Sequence, residues 1–154
     1  MRQDEIEEMF ASLGEVSIRR MFGGKGVYRQ GLILALELRD EMLLKADAVT
    51  APVREVGPMI EHHLLFPEGV NVGFAQIVAR DRIRLKVWER GAGQTRACGT
   101  GACAALVAAA RRNLTDRKAT VVLDGGELVI EWRESDGHVI MTGDVQVDFT
   151  GQLP

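Results

Sequence analysis

The stretch Trp88 to Arg112, WERGAGQTRACGTGACAALVAAARR, decides how the rest of the chain is read. It opens as a strand end, passes through a glycine-rich turn that carries Cys98, and continues as an alanine-rich run of strong helix formers from about Gly101 to Arg112. Gly99 and Gly101 let the backbone approach whatever lies beside Cys98. A helix start offers unpaired N–H groups and partial positive charge. It therefore attracts a carboxylate and favours thiolate over thiol at Cys98 by ~0.3–2 kcal/mol. The helix is apolar all round, with Ala102, Ala104, Ala105, Leu106, Val107, Ala108, Ala109 and Ala110, and turns basic only at Arg111 and Arg112. A helix without a polar face is a buried one. The expected architecture is a slim central helix wrapped by strands, with Cys98 at its mouth.

A cysteine in a small-residue turn is ordinarily a packed small hydrophobe. This turn holds Gly91, Gly93, Gly99 and Gly101 beside Glu89 and Arg90, more glycine and charge than packing needs. Cys98 is thus read as a candidate acid/base group. Cys103, five residues further on, is rotated by roughly 140° on the same helix and is read as packing.

Composition bounds the alternatives. At 154 residues with 46% hydrophobic residues the chain can build a real core, as one ordinary domain or two small ones. A net charge of -3 without a basic block gives no electrostatic footprint for nucleic acid. Two closely spaced cysteines and no secretory leader fit a reducing, cytoplasmic setting. They are too few for a zinc site, and His62-His63 lies in no metal-ligand spacing, so neither metal nor cofactor is expected. No apolar run reaches the length of a membrane span.

On either side of the central stretch the pattern is mostly β. Ile6, Met9, Phe10 and Leu13 share one face of a helix over Asp4 to Leu13, with acid at its start and Gly14 as its stop. Short apolar runs from Val16 to Asp47 then read as a meander turning at Gly23, Gly24 and Gly26 and again at Gln30-Gly31. The Gly-Gly-Lys-Gly run lacks phosphate-loop spacing and is read as a turn. Ala48 to Pro58, punctuated by Pro52 and Gly57-Pro58, is expected to be irregular, and the domain junction is placed at residues 51–56. Beyond it come a strand from Val70 to Ala79, a turn at Arg80-Asp81, and a strictly alternating strand with Ile83, Leu85 and Val87 on its inner face. After the helix, a hairpin turns at Asp124-Gly125-Gly126, and a strand pair follows over HVIMTG and VQVDF. Trp88 and Trp132 read as wall residues, and His62, His63 and His138 as surface residues.

Two resemblances follow. RRMFGGKGVY, then LALEL and LLKAD, resembles the opening of the TfoX N-terminal domain family, small α+β modules associated with competence regulation, over residues 2–47. GPMIEHHLLFPEGVNVGF, WERGAGQTRACGTGACA, LDGGEL and HVIMTG occur in the order found in the C-terminal half of diaminopimelate epimerase, over residues 57–154. The second resemblance implies an α+β fold in which each half rolls an antiparallel sheet around a central helix and the site lies between two helix starts. It implies cofactor-independent interconversion of LL- and meso-diaminopimelate in lysine biosynthesis, an isomerase chemistry on a small amino-acid substrate. Carried over by residue, Cys98 is one of two acid/base cysteines. Gly99 and Thr100 bind the substrate α-carboxylate, and Asn71, Glu89 and Arg90 contact its polar groups. The partner cysteine belongs to an N-terminal half, and here a helix-plus-meander module over residues 1–50 stands in its place. The expectation is a fusion that is inactive or holds one half-site, or a homodimer in which one Cys98 faces another. The alternative is a regulatory module at residues 1–50 with the epimerase-like half as scaffold.

Overall fold

A computed structural model of the chain describes residues 3–11, 15–21, 24–29, 32–38, 41–45, 50–64, 66–145 and 150–152. The elements run α1 (Gln3–Met9), β1 (Ser17–Met21), β2 (Gly24–Arg29), β3 (Leu32–Leu38), β4 (Glu41–Lys45), α2 (Val53–Glu61), β5 (Asn71–Ala79), β6 (Arg82–Glu89), β7 (Gly93–Thr95), α3 (Gly99–Arg111), β8 (Lys118–Leu123), β9 (Gly126–Trp132) and β10 (Val139–Thr142). The strands form one continuous sheet in the order β1-β2-β3-β4-β5-β6-β8-β9-β10, with β7 hydrogen-bonded to β6 at the side. The fold is α+β.

The sheet is mixed, not purely antiparallel as expected. β4 pairs parallel with β5, Met42 facing Val72, and β6 pairs parallel with β8, Ile83 facing Val121. Each parallel pair is joined through a helix, α2 for the first and α3 for the second, because parallel neighbours require a long crossover. The first of these joints makes the N-terminal meander and the later strands one sheet.

The period of two along each strand sorts side chains to opposite faces. On one face Leu43, Ile83, Leu85 and Val87 pack with Ala119, Val121, Leu123 and Ile130 around Ala102, Ala105, Leu106, Ala108 and Ala109 of α3. On the other, Met42, Val72 and Phe74 pack with Val53 and Ile60 of α2, with Ile6 of α1 and with Phe10 just after it. Strands β4, β5, β6, β8, β9 and β10 all touch α3, so the sheet curves round that helix. The central helix wrapped by strands is therefore present. The side chains of Cys103, Val107 and Ala110 are half-buried along its less covered stripe.

Three expectations are corrected. Residues 53–58 are helical, with Pro58 inside α2. Burial of Val53, Gly57 and Ile60 on one helical stripe outweighs the backbone bond that proline removes. Trp88 is a wall residue of the α2 face and not of the α3 barrel: a Cβ on Gly57 would stand 2.5 Å from Trp88 Cγ, so only glycine lets the indole lie on the helix. Gly24 and Gly26, expected in a turn, are strand residues of β2. The helical face holds through Phe10, but α1 closes at Met9. The expected Leu13 and Gly14, the turns at Gly23 and Gln30-Gly31, and the VQVDF strand from Gln146 on lie outside the described residues. The hairpin at Asp124-Gly125 and the strictly alternating burial of β6 are as the sequence indicates.

Candidate functional site around Cys98

Cys98 is the N-cap of α3, with extended backbone at φ -146° and ψ 107°. Its sulfur accepts a hydrogen bond from the Gly101 N–H at 3.4 Å and lies 3.4 Å from Thr100 Oγ1. An N-cap side chain that satisfies an end N–H is the local reason the helix begins here. Thr100 is exposed and Gly99 half-buried, so the mouth opens to solvent on that side. Met141 of β10, 52% exposed, forms part of its rim: its Sδ is 3.0 Å from where a Cβ on Gly99 would stand.

The strand that leads into the turn delivers Glu89 and Arg90. Glu89 Oε1 accepts from Thr95 Oγ1 at 2.5 Å across the β6–β7 pair. The Arg90 N–H donates to Asn71 Oδ1 at 2.8 Å, which ties the start of β5 to the end of β6. Gly91 and Gly93 take φ of +73° and +79°, so the reversal between β6 and β7 uses the left-handed region that glycine enters at no steric cost. Asn71, Glu89, Arg90, Cys98, Gly99 and Thr100 are thus carried by β5, the end of β6 and the start of α3. The Asn71 carbonyl oxygen is engaged by backbone.

The expected bias toward thiolate is reversed. Burial pushes the Cys98 thiol up, the hydrogen bonds from Thr100 and Gly101 pull it down, and the Glu89 carboxylate beside the sulfur pushes it up again. The net direction is upward, so the resting group near neutral pH is a thiol. Desolvation outweighs the helix end. Cys103, also pushed up by burial, stays a thiol as well.

One group was missed from sequence. Glu61, at the end of α2, is 5% exposed and accepts from Trp88 Nε1 at 2.6 Å and from the Gly91 N–H at 2.7 Å. Its signal was its position: with Val53, Gly57 and Ile60 it falls on the buried stripe of a helix that the prolines disguised. These two donors hold its carboxyl below the ordinary value, with burial opposing and His62 and Arg90 assisting. A carboxyl depressed in the folded state stabilises the protein above its unfolded value, about 4.3, and loses that contribution as pH falls through the folded value. The urea midpoint is therefore expected to fall more steeply below about pH 4.3 in the parent than in Glu61→Gln. Asp136 is also depressed, chiefly by the His138 N–H, and contributes the same sign to both proteins. Parallel urea titrations from neutral to acid pH separate the two, and equal slopes would place the ionised carboxylate elsewhere.

With this geometry in place, comparison with known proteins is decisive. The family model for diaminopimelate epimerase matches residues 42–147. The chain belongs to the diaminopimelate epimerase family. The match begins earlier than residue 57, taking in β4 and α2. The TfoX N-terminal domain model matches residues 8–59, overlapping the epimerase match through β4 and most of α2. Diaminopimelate epimerase of Caulobacter vibrioides is 68% identical over 111 residues, covering 69% of this chain and 38% of the relative. That of Phenylobacterium zucineum is 70% identical over 108 residues, covering 70% and 39%. The chain thus spans about two fifths of the length of these epimerase relatives. Among solved structures, a phenazine biosynthesis protein of the PhzF family from Bacillus anthracis gives a TM-score of 0.47 at 17% identity, over 66% of this chain and 33% of that one. Among the described residues, no helix is long and apolar enough to cross a membrane.

Proposed function

We propose that this chain carries one half of a cofactor-independent α-carbon epimerisation site for diaminopimelate and does not complete the reaction alone. The observation that supports this is Cys98 at the open start of α3, with Gly101 N–H on its sulfur and Glu89 beside it. Inverting an α-carbon requires one group to remove a proton from one face and a second to return a proton to the other. A resting thiol is suited to the second of these roles, since it donates a proton and ends as a thiolate. Its negative charge then gains from the Gly101 N–H and the helix end. The N–H groups of Gly99 and Thr100 at the open helix start are suited to the α-carboxylate, whose charge increases as the first proton leaves. Asn71, Glu89 and Arg90 frame the remaining polar groups.

The opposing base must be a second group facing Cys98 across the substrate. The sequence holds two cysteines, and Cys103 lies on the same helix, roughly 140° round from Cys98. A half-site follows, completed by another chain if at all. Two copies with one Cys98 facing the other would make a homodimeric site, with activity rising with the dimer population. The division into an N-terminal module, a junction at residues 51–56 and an epimerase-type half belongs to the same reading, as does a reducing cytoplasmic setting for the two free thiols.

The alternative, a regulatory module with an apolar docking face at residues 1–50, loses its main support. Ile6 and Phe10 are 0% and 6% exposed, in the same cluster as α2 and β5. The Met9 side chain and residues 22–23 lie outside the described structure.

The deciding assay measures interconversion of LL- and meso-diaminopimelate by the purified chain over a range of protein concentrations. The expected result is no turnover from the monomer. Monomer turnover abolished by Cys98→Ala would overturn the half-site reading, and turnover that scales with dimer would assign completion to a second copy.

A further inference from the structure

We propose that Glu61 is a positioning residue for the Cys98 mouth: from α2, on the opposite face of the sheet, it holds the turn at residues 88–92 and thereby fixes Glu89 beside Cys98 at the start of α3. The inference rests on the half-site reading only in taking Glu89 and Arg90 as the groups that face a ligand.

The geometry has three parts. Glu61 is buried, and a carboxylate withdrawn from water is tolerated only where hydrogen bonds replace the lost hydration. Both oxygens are used, Oε2 by the Trp88 indole at 2.6 Å and Oε1 by the Gly91 N–H at 2.7 Å. These donors flank Glu89 and Arg90 in sequence, one on either side, so the carboxylate spans the two residues and fixes the path between them. The indole is itself seated on α2 at Gly57, where a Cβ would collide with Trp88 Cγ at 2.5 Å. The far ends of the turn are pinned from the other side, by Thr95 Oγ1 on Glu89 and by Asn71 Oδ1 on the Arg90 N–H. The charge near the sulfur is thereby held in place. Glu89 is the ionisable group that acts on Cys98, and it pushes the thiol up; Cys98 in turn pushes up Cys103 on the same helix. His62 and Arg90 are the charged groups that act on Glu61.

A purely structural carboxylate would lower stability when removed and leave the titration of Cys98 alone. A positioning carboxylate makes a further demand. In Glu61→Gln the amide nitrogen meets one of two donors, Trp88 Nε1 or the Gly91 N–H, and that bond becomes a donor–donor contact. The turn loosens, Glu89 moves off the sulfur, and the Cys98 thiol becomes more acidic.

The experiment follows alkylation of Cys98 by iodoacetamide against pH, in the full chain, resolved from Cys103 by mass spectrometry of the peptides. Easier access raises the plateau rate, whereas a changed charge environment moves the midpoint, so the two are separable. Glu61→Gln is expected to lower the midpoint by about half a unit, which raises the rate near neutral pH about threefold. Trp88→Phe, which removes one donor and leaves the Gly91 bond, is expected to shift it in the same direction by less. An unchanged midpoint in folded Glu61→Gln overturns the proposal, whatever its melting temperature. If that variant does not fold, Trp88→Phe decides in the same way. Because the readout needs no substrate, a shifted midpoint with no binding of diaminopimelate would sink the half-site reading and leave this one standing.

Discussion

Replacing Phe10 by alanine is expected to destabilise the whole protein by about 3–5 kcal/mol. The residue lies just beyond α1, yet it is 6% exposed because its ring is packed in a cluster with Val53 and Ile60 of α2 and Val70, Val72 and Phe74 at and within β5. Truncating it removes apolar area from that cluster and leaves a cavity that the sheet, paired on both sides of β5, closes only in part. For a chain of this length the loss corresponds to a fall in Tm of about 2–4 °C per kcal/mol. The functional meaning lies in the shape of the transition. If the N-terminal helix and meander supply a missing wall to the epimerase-family half, the variant melts early as one unit, followed by far-ultraviolet circular dichroism and Trp88 fluorescence together. A separate early transition confined to the N-terminal module, with the rest melting at the parent temperature, would show that the two parts do not share a core.

Leu106→Ala is expected to cost about 2–5 kcal/mol, with little of it from the helix itself. Leucine and alanine have nearly equal helix propensity, so α3 keeps its backbone preference. What is lost is packing. The face that α3 turns to the sheet is otherwise built of Ala102, Ala105, Ala108 and Ala109, which lets β5, β6 and β8 come close, and Leu106 at 0% exposure belongs to one core cluster with Leu85, Val121 and Ile130. Val107, half-buried on the less covered stripe, is the control: Val107→Ala is expected to cost ~1 kcal/mol. Urea unfolding of the two variants tests the ranking. Equal costs would mean that the helix is not buried on the Leu106 side.

Much of the later half is legible because its signals are local. The alternation of Ile83, Leu85 and Val87 declares a half-buried strand, Asp124-Gly125 declares a hairpin, and Cys98 followed by Gly-Thr-Gly and an alanine run declares a capped helix start. The α2 helix was not legible. Pro52 and Gly57-Pro58 are genuine local signals of irregular chain, overruled by contacts with Trp88 about thirty residues away. Glu61 was hidden with it: a glutamate near a helix end reads as solvated until its two donors, Trp88 and Gly91, are known to come from the end of β6 and the turn after it. The charge state of Cys98 was misread for the same reason. The helix start is a local feature visible in the sequence, but the burial that outweighs it is set by the packing around the sulfur.

The sequence by itself determined the family, the Cys98 turn, and the helix that starts there, since glycine spacing, capping and apolar period act over a few residues. Tertiary structure alone decided that β4 joins β5 so that two family segments share one sheet, that Ile6 and Phe10 are core and not surface, and that a buried carboxylate braces the turn beside a protonated Cys98. Each of those depends on desolvation and on partners far apart in the chain. These quantities exist only once the sheet has closed over its two faces.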